Sequence, residues 1–204
     1  DVYLFSQRLV WNRLNAGDAG LYATISRTGE DLCADLMAKG WDVSPFIRTG
    51  VLKILDYLSL ADGRPGTPEE KLRALFSIGM EALTPERFNQ IFIRESYGLR
   101  ERAPGQRLFV IFDSVDRLIE AMGFENTLRL AQTVSQGLKA TNSMTVGLLC
   151  NEFLSRETIE DVREAASVFI ELKREWKGKD IQRMVRVTKA QGVESSAKWV
   201  PWYY

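Results

Sequence analysis

One run of residues constrains this chain more than any other. Leu108-Phe109-Val110-Ile111-Phe112 is five consecutive apolar residues, and it ends abruptly in Asp113-Ser114. A strand with one wet face alternates polar and apolar residues. An unbroken apolar run reads as a strand buried on both faces, and such strands belong to parallel sheets covered by helices on either side. Residues 144–150 read as a second buried strand, ending in Asn151-Glu152.

Shorter strand patterns cover residues 21–25, 51–57, 167–172, 181–189 and 198–203. Helical patterns lie between them. Leu4, Phe5, Leu9, Val10 and Leu14 give residues 2–16 one broad apolar face. Residues 30–39 read as a helix stopped by Gly40, and residues 127–139 and 159–166 are helical. Thr67-Pro68-Glu69-Glu70 and Thr84-Pro85-Glu86 are helix starts, with Thr as cap, Pro in the first turn and acids beside it. Residues 61–68 read as a turn-rich loop, and Pro104-Gly105 breaks the chain. Strands alternate with helices, which predicts an α/β class with a mostly parallel sheet. The last strands, turning at Gly192, predict an antiparallel C-terminal edge. All 204 residues read as one domain.

Composition removes several functions. The chain has no His, which excludes His-based triads, His metal ligands and His pH switches. Lys+Arg and Asp+Glu both number 27, so no net charge draws it to nucleic acid. Two cysteines, Cys33 and Cys150, are too few for a disulfide framework or a cysteine-built zinc site and predict a cytoplasmic home. No apolar run approaches the roughly 20 residues of a membrane helix, so no membrane insertion is expected.

In open α/β sheets, ligands bind at the C-terminal ends of the parallel strands. Three polar pairs stand at such ends: Ser26-Arg27, Asp113-Ser114 and Asn151-Glu152. An apolar strand ending in Asp is the Walker B pattern, in which the carboxylate orders Mg²⁺ beside a nucleotide's phosphates. The alternative is that Asp113 only caps the next helix. No Gly-x-x-x-x-Gly-Lys-Ser/Thr phosphate loop occurs in these residues. Arg27 is either a solvated loop charge or a phosphate contact. Lys173, Arg174, Lys177 and Lys179 read as a solvated strand end and turn, and Trp199, Trp202, Tyr203 and Tyr204 as an edge strand lying on the core.

Taken together, several segments resemble the KaiC-like branch of RecA-type ATPases, which includes FlaH and many archaeal paralogues. Gly20-Leu21-Tyr22-Ala23-Thr24-Ile25-Ser26 followed by Glu30-Asp31-Leu32 resembles that family's second strand and helix. Lys39-Gly40-Trp41-Asp42-Val43, Gly50-Val51-Leu52-Lys53-Ile54-Leu55-Asp56 and the segment from Phe109 to Val115 resemble its next stretches. So do Leu148-Leu149-Cys150-Asn151-Glu152 and Val185-Arg186-Val187-Thr188-Lys189-Ala190-Gln191-Gly192. The likeness covers nearly the whole chain through order and spacing; no single motif is specific.

The resemblance implies a RecA-like three-layer α/β/α domain that binds ATP with Mg²⁺. Asp113 would hold the metal, with Ser114 and Glu152 beside the phosphates. Lys189 and Gln191 would reach a neighbouring subunit's phosphate in a ring-type homo-oligomer. It also implies a strand and phosphate-binding loop before Asp1. Three departures bear on activity. Asp1 falls where the end of the phosphate loop would be, and a carboxylate there repels phosphates. Ser26 and Arg27 occupy the positions where the family's ATPases carry acids, and Gln191 replaces an arginine. Hydrolysis is therefore expected to be weak or lost. Three functions follow: a nucleotide-binding regulatory or motor-accessory domain, a pseudo-ATPase scaffold working through protein partners, or an active DNA-linked ATPase. The last would need another carboxylate near Asp113, for which Asp116 and Glu30 are the candidates.

Overall fold

Residues 19–24 and 108–113 are buried along their whole length. The computed structural model describes residues 2–57, 84–139, 143–150, 154–192 and 197–203. In it these two segments are β1 (Ala19–Thr24) and β3 (Leu108–Asp113), the central pair of a four-stranded parallel sheet. β2 (Leu52–Asp56) pairs with the outer side of β1 and β4 (Met144–Leu148) with the outer side of β3.

Successive strand residues point to opposite faces. Leu21, Ala23, Val110 and Phe112 join one apolar cluster with Phe88, Phe92 and Leu99 of α4 (Pro85–Arg102), Leu118 and Met122 of α5 (Val115–Met122), and Leu130 and Val134 of α6 (Phe124–Lys139). Phe92 and Phe112 approach to 5.4 Å between ring centres, and Tyr57 stacks on Phe88 at 4.2 Å. Each such side chain contributes roughly 1.5–3 kcal/mol through burial. Tyr22, Thr24, Ile111 and Asp113 point the other way. There α1 (Val2–Asn15) and α2 (Gly29–Ala38) bury Val10, Leu14, Leu32 and Leu36. α3 (Ser44–Arg48) packs beside β2.

The caps form as the sequence dictates. Thr84 accepts from the Arg87 N–H and Thr28 from the Asp31 N–H, each closing an orphan donor of a first turn. Gly40 ends α2 at φ +76°, a conformation that costs a Cβ-bearing residue strain. The cap at Thr67 and the loop at 61–68 lie outside the described residues.

Residues 1–5 and 151–204 form a second compact unit. It holds α7 (Arg156–Ala165), β5 (Val168–Lys177), β6 (Asp180–Ala190) and β7 (Val200–Pro201). These strands pair antiparallel, as their sequence predicts, in order β5-β6-β7. Among the described residues they form a sheet of their own, not an extension of the parallel one. β5 runs to Lys177, past the predicted end at 172. Cross-strand partners at every position, from Lys173 opposite Met184 to Lys177 opposite Asp180, carry the ladder to the turn at Gly178. Trp199 lies under Lys173 and Arg186, at 4.2 and 4.5 Å, so it binds cations more than it covers a core. Tyr203 is exposed, and Tyr204 lies outside the described residues.

Two further expectations change. α5 was not among the expected helices, although Val115, Leu118, Ile119 and Met122 have helical spacing. β4 was expected to be buried, yet only Leu148 is. It is an edge strand among the described residues, so one side lacks a neighbour.

β1 and β3 meet closely because Gly20 has no side chain. A Cβ there would lie 2.2 Å from Cζ of Phe109, its register partner. Gly20→Ala should therefore cost about 1–3 kcal/mol through overpacking, read from denaturant midpoints. Phe109→Leu in the Gly20→Ala background should cost less than it does alone. Equal losses in both backgrounds would contradict this contact.

Candidate functional site

Parallel pairing aligns the C-terminal ends of β1, β2 and β3. Thr24 lies opposite both Asp56 and Asp113. At the end of β1 the Thr24 hydroxyl donates to the Arg27 carbonyl at 2.8 Å and accepts from its N–H at 3.3 Å. That closes a tight turn, and Thr28 then caps α2. The turn carries Ser26 and Arg27 toward β3.

Asp113 has no exposed surface. Ser26 Oγ donates to its Oδ1 at 2.6 Å and Tyr22 Oη to its Oδ2 at 2.8 Å. Arg27 Nε lies 3.5 Å from the same Oδ2. Burial pushes the Asp113 carboxyl above the ordinary carboxylate range; Ser26, Tyr22 and the Arg27 charge pull it back, and Asp116 pushes it up again. Burial, with the Asp113 charge beside it, pushes the Tyr22 hydroxyl far up. Tyr22 therefore keeps its proton and serves Asp113 as a donor. Ser6 of α1 lies 3.5 Å behind it.

Arg27 also reaches a second carboxylate. Its Nη1 lies 2.9 Å from Oδ2 of Asp35 on α2, and the Gln7 side chain of α1 donates to that same oxygen at 3.5 Å. One polar chain thus joins α1, β1, α2 and β3. Nearby, Ser114 Oγ is buried without a hydrogen-bond partner among the described residues.

The sequence-predicted residues divide into two groups. Ser26, Arg27, Asp113 and Ser114 come together. Glu152 and Asn151 lie outside the described residues. Lys189 and Gln191 belong to the other compact unit. There Lys189 Nζ donates to the carbonyls of Arg163 and Glu164 at 3.0 and 2.6 Å, where a cation satisfies the last turn of α7. Gln191, exposed, donates its N–H to Ser167. Of the extra carboxylates considered, Asp116 accepts from the Cys150 N–H at 3.1 Å. Glu30 lines a separate open cleft of about 610 Å³ with Cys33, Lys53, Asp56 and Arg102.

Tyr22 is the residue that sequence reasoning missed. Its signal was present: a Tyr two and four positions before Thr24 and Ser26 shares their face, and a buried Tyr needs a partner for its hydroxyl.

A magnesium ion takes one or two carboxylates with phosphate and water oxygens. Asp113 as folded does not suit that role. Both of its oxygens already accept, it has no exposed surface, and a guanidinium stands beside it. Among the described residues no group of three or more His, Cys, Asp or Glu side chains could hold a metal ion. None of their helices is long and apolar enough to cross a membrane.

No protein-family model matches the chain. Over 127 residues it is 23% identical to a UPF0273 protein of Thermotoga maritima, a match covering 59% of this chain and 52% of that protein. A second UPF0273 protein, from Pyrococcus horikoshii, is 28% identical over 61 residues, 30% of this chain and 25% of that one. The chain spans about half the length of the first of these relatives and a quarter of the second. Solved structures resemble it more broadly. A KaiC-like protein of Pyrococcus horikoshii superposes with a TM-score of 0.61 and 19% identity, covering 92% of this chain and 73% of that one. An uncharacterized protein of the same organism, in complex with an unknown peptide, gives 0.67 and 16%, covering 97% and 85%. The flagellar accessory protein FlaH of Methanocaldococcus jannaschii gives 0.66 and 14%, covering 98% and 83%. The chain has the RecA-like fold of the KaiC-like and FlaH proteins.

Tyr22→Phe removes one of the three donors and leaves a buried carboxylate oxygen short of a partner. It should destabilise the protein by about 1–3 kcal/mol. A loss within error of zero would mean that the bond has no weight.

The pH dependence follows from the raised Asp113 carboxyl. In the folded state the proton is held more tightly than in the unfolded chain, so the penalty applies above the folded pKa and is relieved below it. Wild-type stability should rise relative to Asp113→Asn as pH falls from neutral toward about 4. Paired denaturant titrations across that range would show it, and parallel curves would contradict it.

Proposed function

We propose that this chain is a RecA-type regulatory or motor-accessory domain that acts through assembly and partner binding, with ATP hydrolysis lost. One observation carries the reading. The carboxylate in the Walker B-like position, Asp113, is engaged by Tyr22, Ser26 and Arg27 of its own fold. Hydrolysis also needs a base to activate water, and the turn after β1 offers a hydroxyl and a guanidinium instead.

Two of the structural relatives support action through protein partners. One is a flagellar accessory protein, and another was solved with an unknown peptide bound. Ring assembly through Lys189 would require the ammonium to leave the α7 carbonyls; Gln191 stands exposed at the turn beside it. Two free, half-buried cysteines fit a reducing compartment such as the cytoplasm. Balanced charge supports no nucleic-acid role.

Nucleotide as a ligand without turnover is the second reading, and one observation favours it. Among the described residues Ser114 Oγ is buried and unpartnered at the end of β3, so a polar atom there still lacks a hydrogen bond. In that reading Ser114 lines the phosphate side. The phosphate loop would lie on a further strand along β4, which is largely unburied where its neighbour β3 is wholly buried.

Calorimetric titration of the full-length protein with ATP, with and without Mg²⁺, together with a phosphate-release assay, tests both readings. Turnover should stay at background and be unchanged by Asp113→Asn. Saturable binding without turnover would select the second reading. Mg²⁺-dependent turnover abolished by Asp113→Asn would overturn the proposal.

A further inference from the structure

The disagreement between Asp113 and a metal ion has a specific cause, Arg27. A carboxylate with no exposed surface needs a compensating positive charge, or it takes up a proton or destabilises the fold. Two neutral hydroxyls, Ser26 and Tyr22, orient the charge but do not cancel it. Arg27 supplies an opposite charge that offsets part of it. Its side chain is 16% exposed, and its guanidinium spans Asp113 on one side and Asp35 on the other. The remaining charged neighbour, Asp116, is acidic and adds to the demand. Turn geometry holds Arg27 there, through the paired bonds between Thr24 and the Arg27 backbone.

We propose that Arg27 is the resident cation of this site: its guanidinium fills the role of a divalent metal between Asp113 and Asp35, making the site independent of metal. A guanidinium suits the position because its planar fork serves two carboxylates at once and cannot lose its proton. The site keeps the carboxylate of a metal-dependent NTPase but carries its counter-ion within the chain. This holds whether or not nucleotide binds, so the test uses none.

Thermal unfolding of the full chain in EDTA and in millimolar MgCl₂, with a Mn²⁺ titration followed by electron paramagnetic resonance, reads the wild type directly. The expected result is the same midpoint in both buffers and no bound Mn²⁺ that Asp113→Asn removes. A Mg²⁺-dependent rise in midpoint, or a Mn²⁺ site, that Asp113→Asn abolishes would overturn the proposal. Arg27→Ala should lower the midpoint by several degrees. Arg27→Ala with Asp113→Asn should melt above Arg27→Ala alone, because the charge needing compensation is gone. Losses that simply add would overturn it. Should Arg27→Ala not fold, the wild-type measurements decide alone.

Discussion

The structure turns on a carboxylate that has no water to solvate it. Asp113 ends a strand whose every residue is buried, so its charge must be met by protein groups. The donors come from the neighbouring strand and the turn after it: Tyr22, Ser26 and Arg27. The same groups recruit Ser6 and Gln7 of α1 and Asp35 of α2. One buried carboxyl group thereby fixes how two helices and two strands meet at the C-terminal end of the sheet. The backbone joins in, because the Ile25 N–H donates to the Asp113 carbonyl at 2.6 Å. Breaking a pair of this kind by removing one partner typically costs about 3–5 kcal/mol, more than most core truncations of a single methyl.

The second unit solves a similar problem with less burial. Glu171 on β5 accepts from Arg163 of α7 and Arg186 of β6, and Thr188 lies 3.5 Å from it. Arg163 also lies over the Phe169 ring, 5.0 Å from its centre, and Lys189 holds the end of α7. These charges tie a helix to a hairpin whose outer positions are exposed, including Trp176 at 73% and Val168 at 53%. The residues that would act across a subunit boundary therefore have work within their own unit.

Much of the fold was legible. The run at 108–112 pointed to the parallel sheet, because an unbroken apolar stretch is stable only where both faces find cover. Thr84-Pro85 and Gly40 marked helix ends, because caps and positive φ are local needs. β4 misled, since its apolar residues promise two covered faces, while burial depends on neighbours in the sheet. α5 was missed because its eight residues make only about two turns, a short window for reading periodicity. The site was legible in part. Asp113, Ser114, Ser26 and Arg27 were each marked by standing at strand ends.

By itself, the sequence determined the α/β class, the strand ends where polar groups gather, and the absence of acids at 26 and 27. Each of these depends on spacing and residue type alone. Only the tertiary structure decided what those groups do to one another. Arg27 could be a solvated charge or a phosphate contact until the turn at Thr24 and the register of β1 on β3 placed it against Asp113. Tyr22 carried no mark of function until its hydroxyl met a carboxylate 91 residues away. Charge compensation is a matter of distance and burial in three dimensions, and neither is written in the order of residues along the chain.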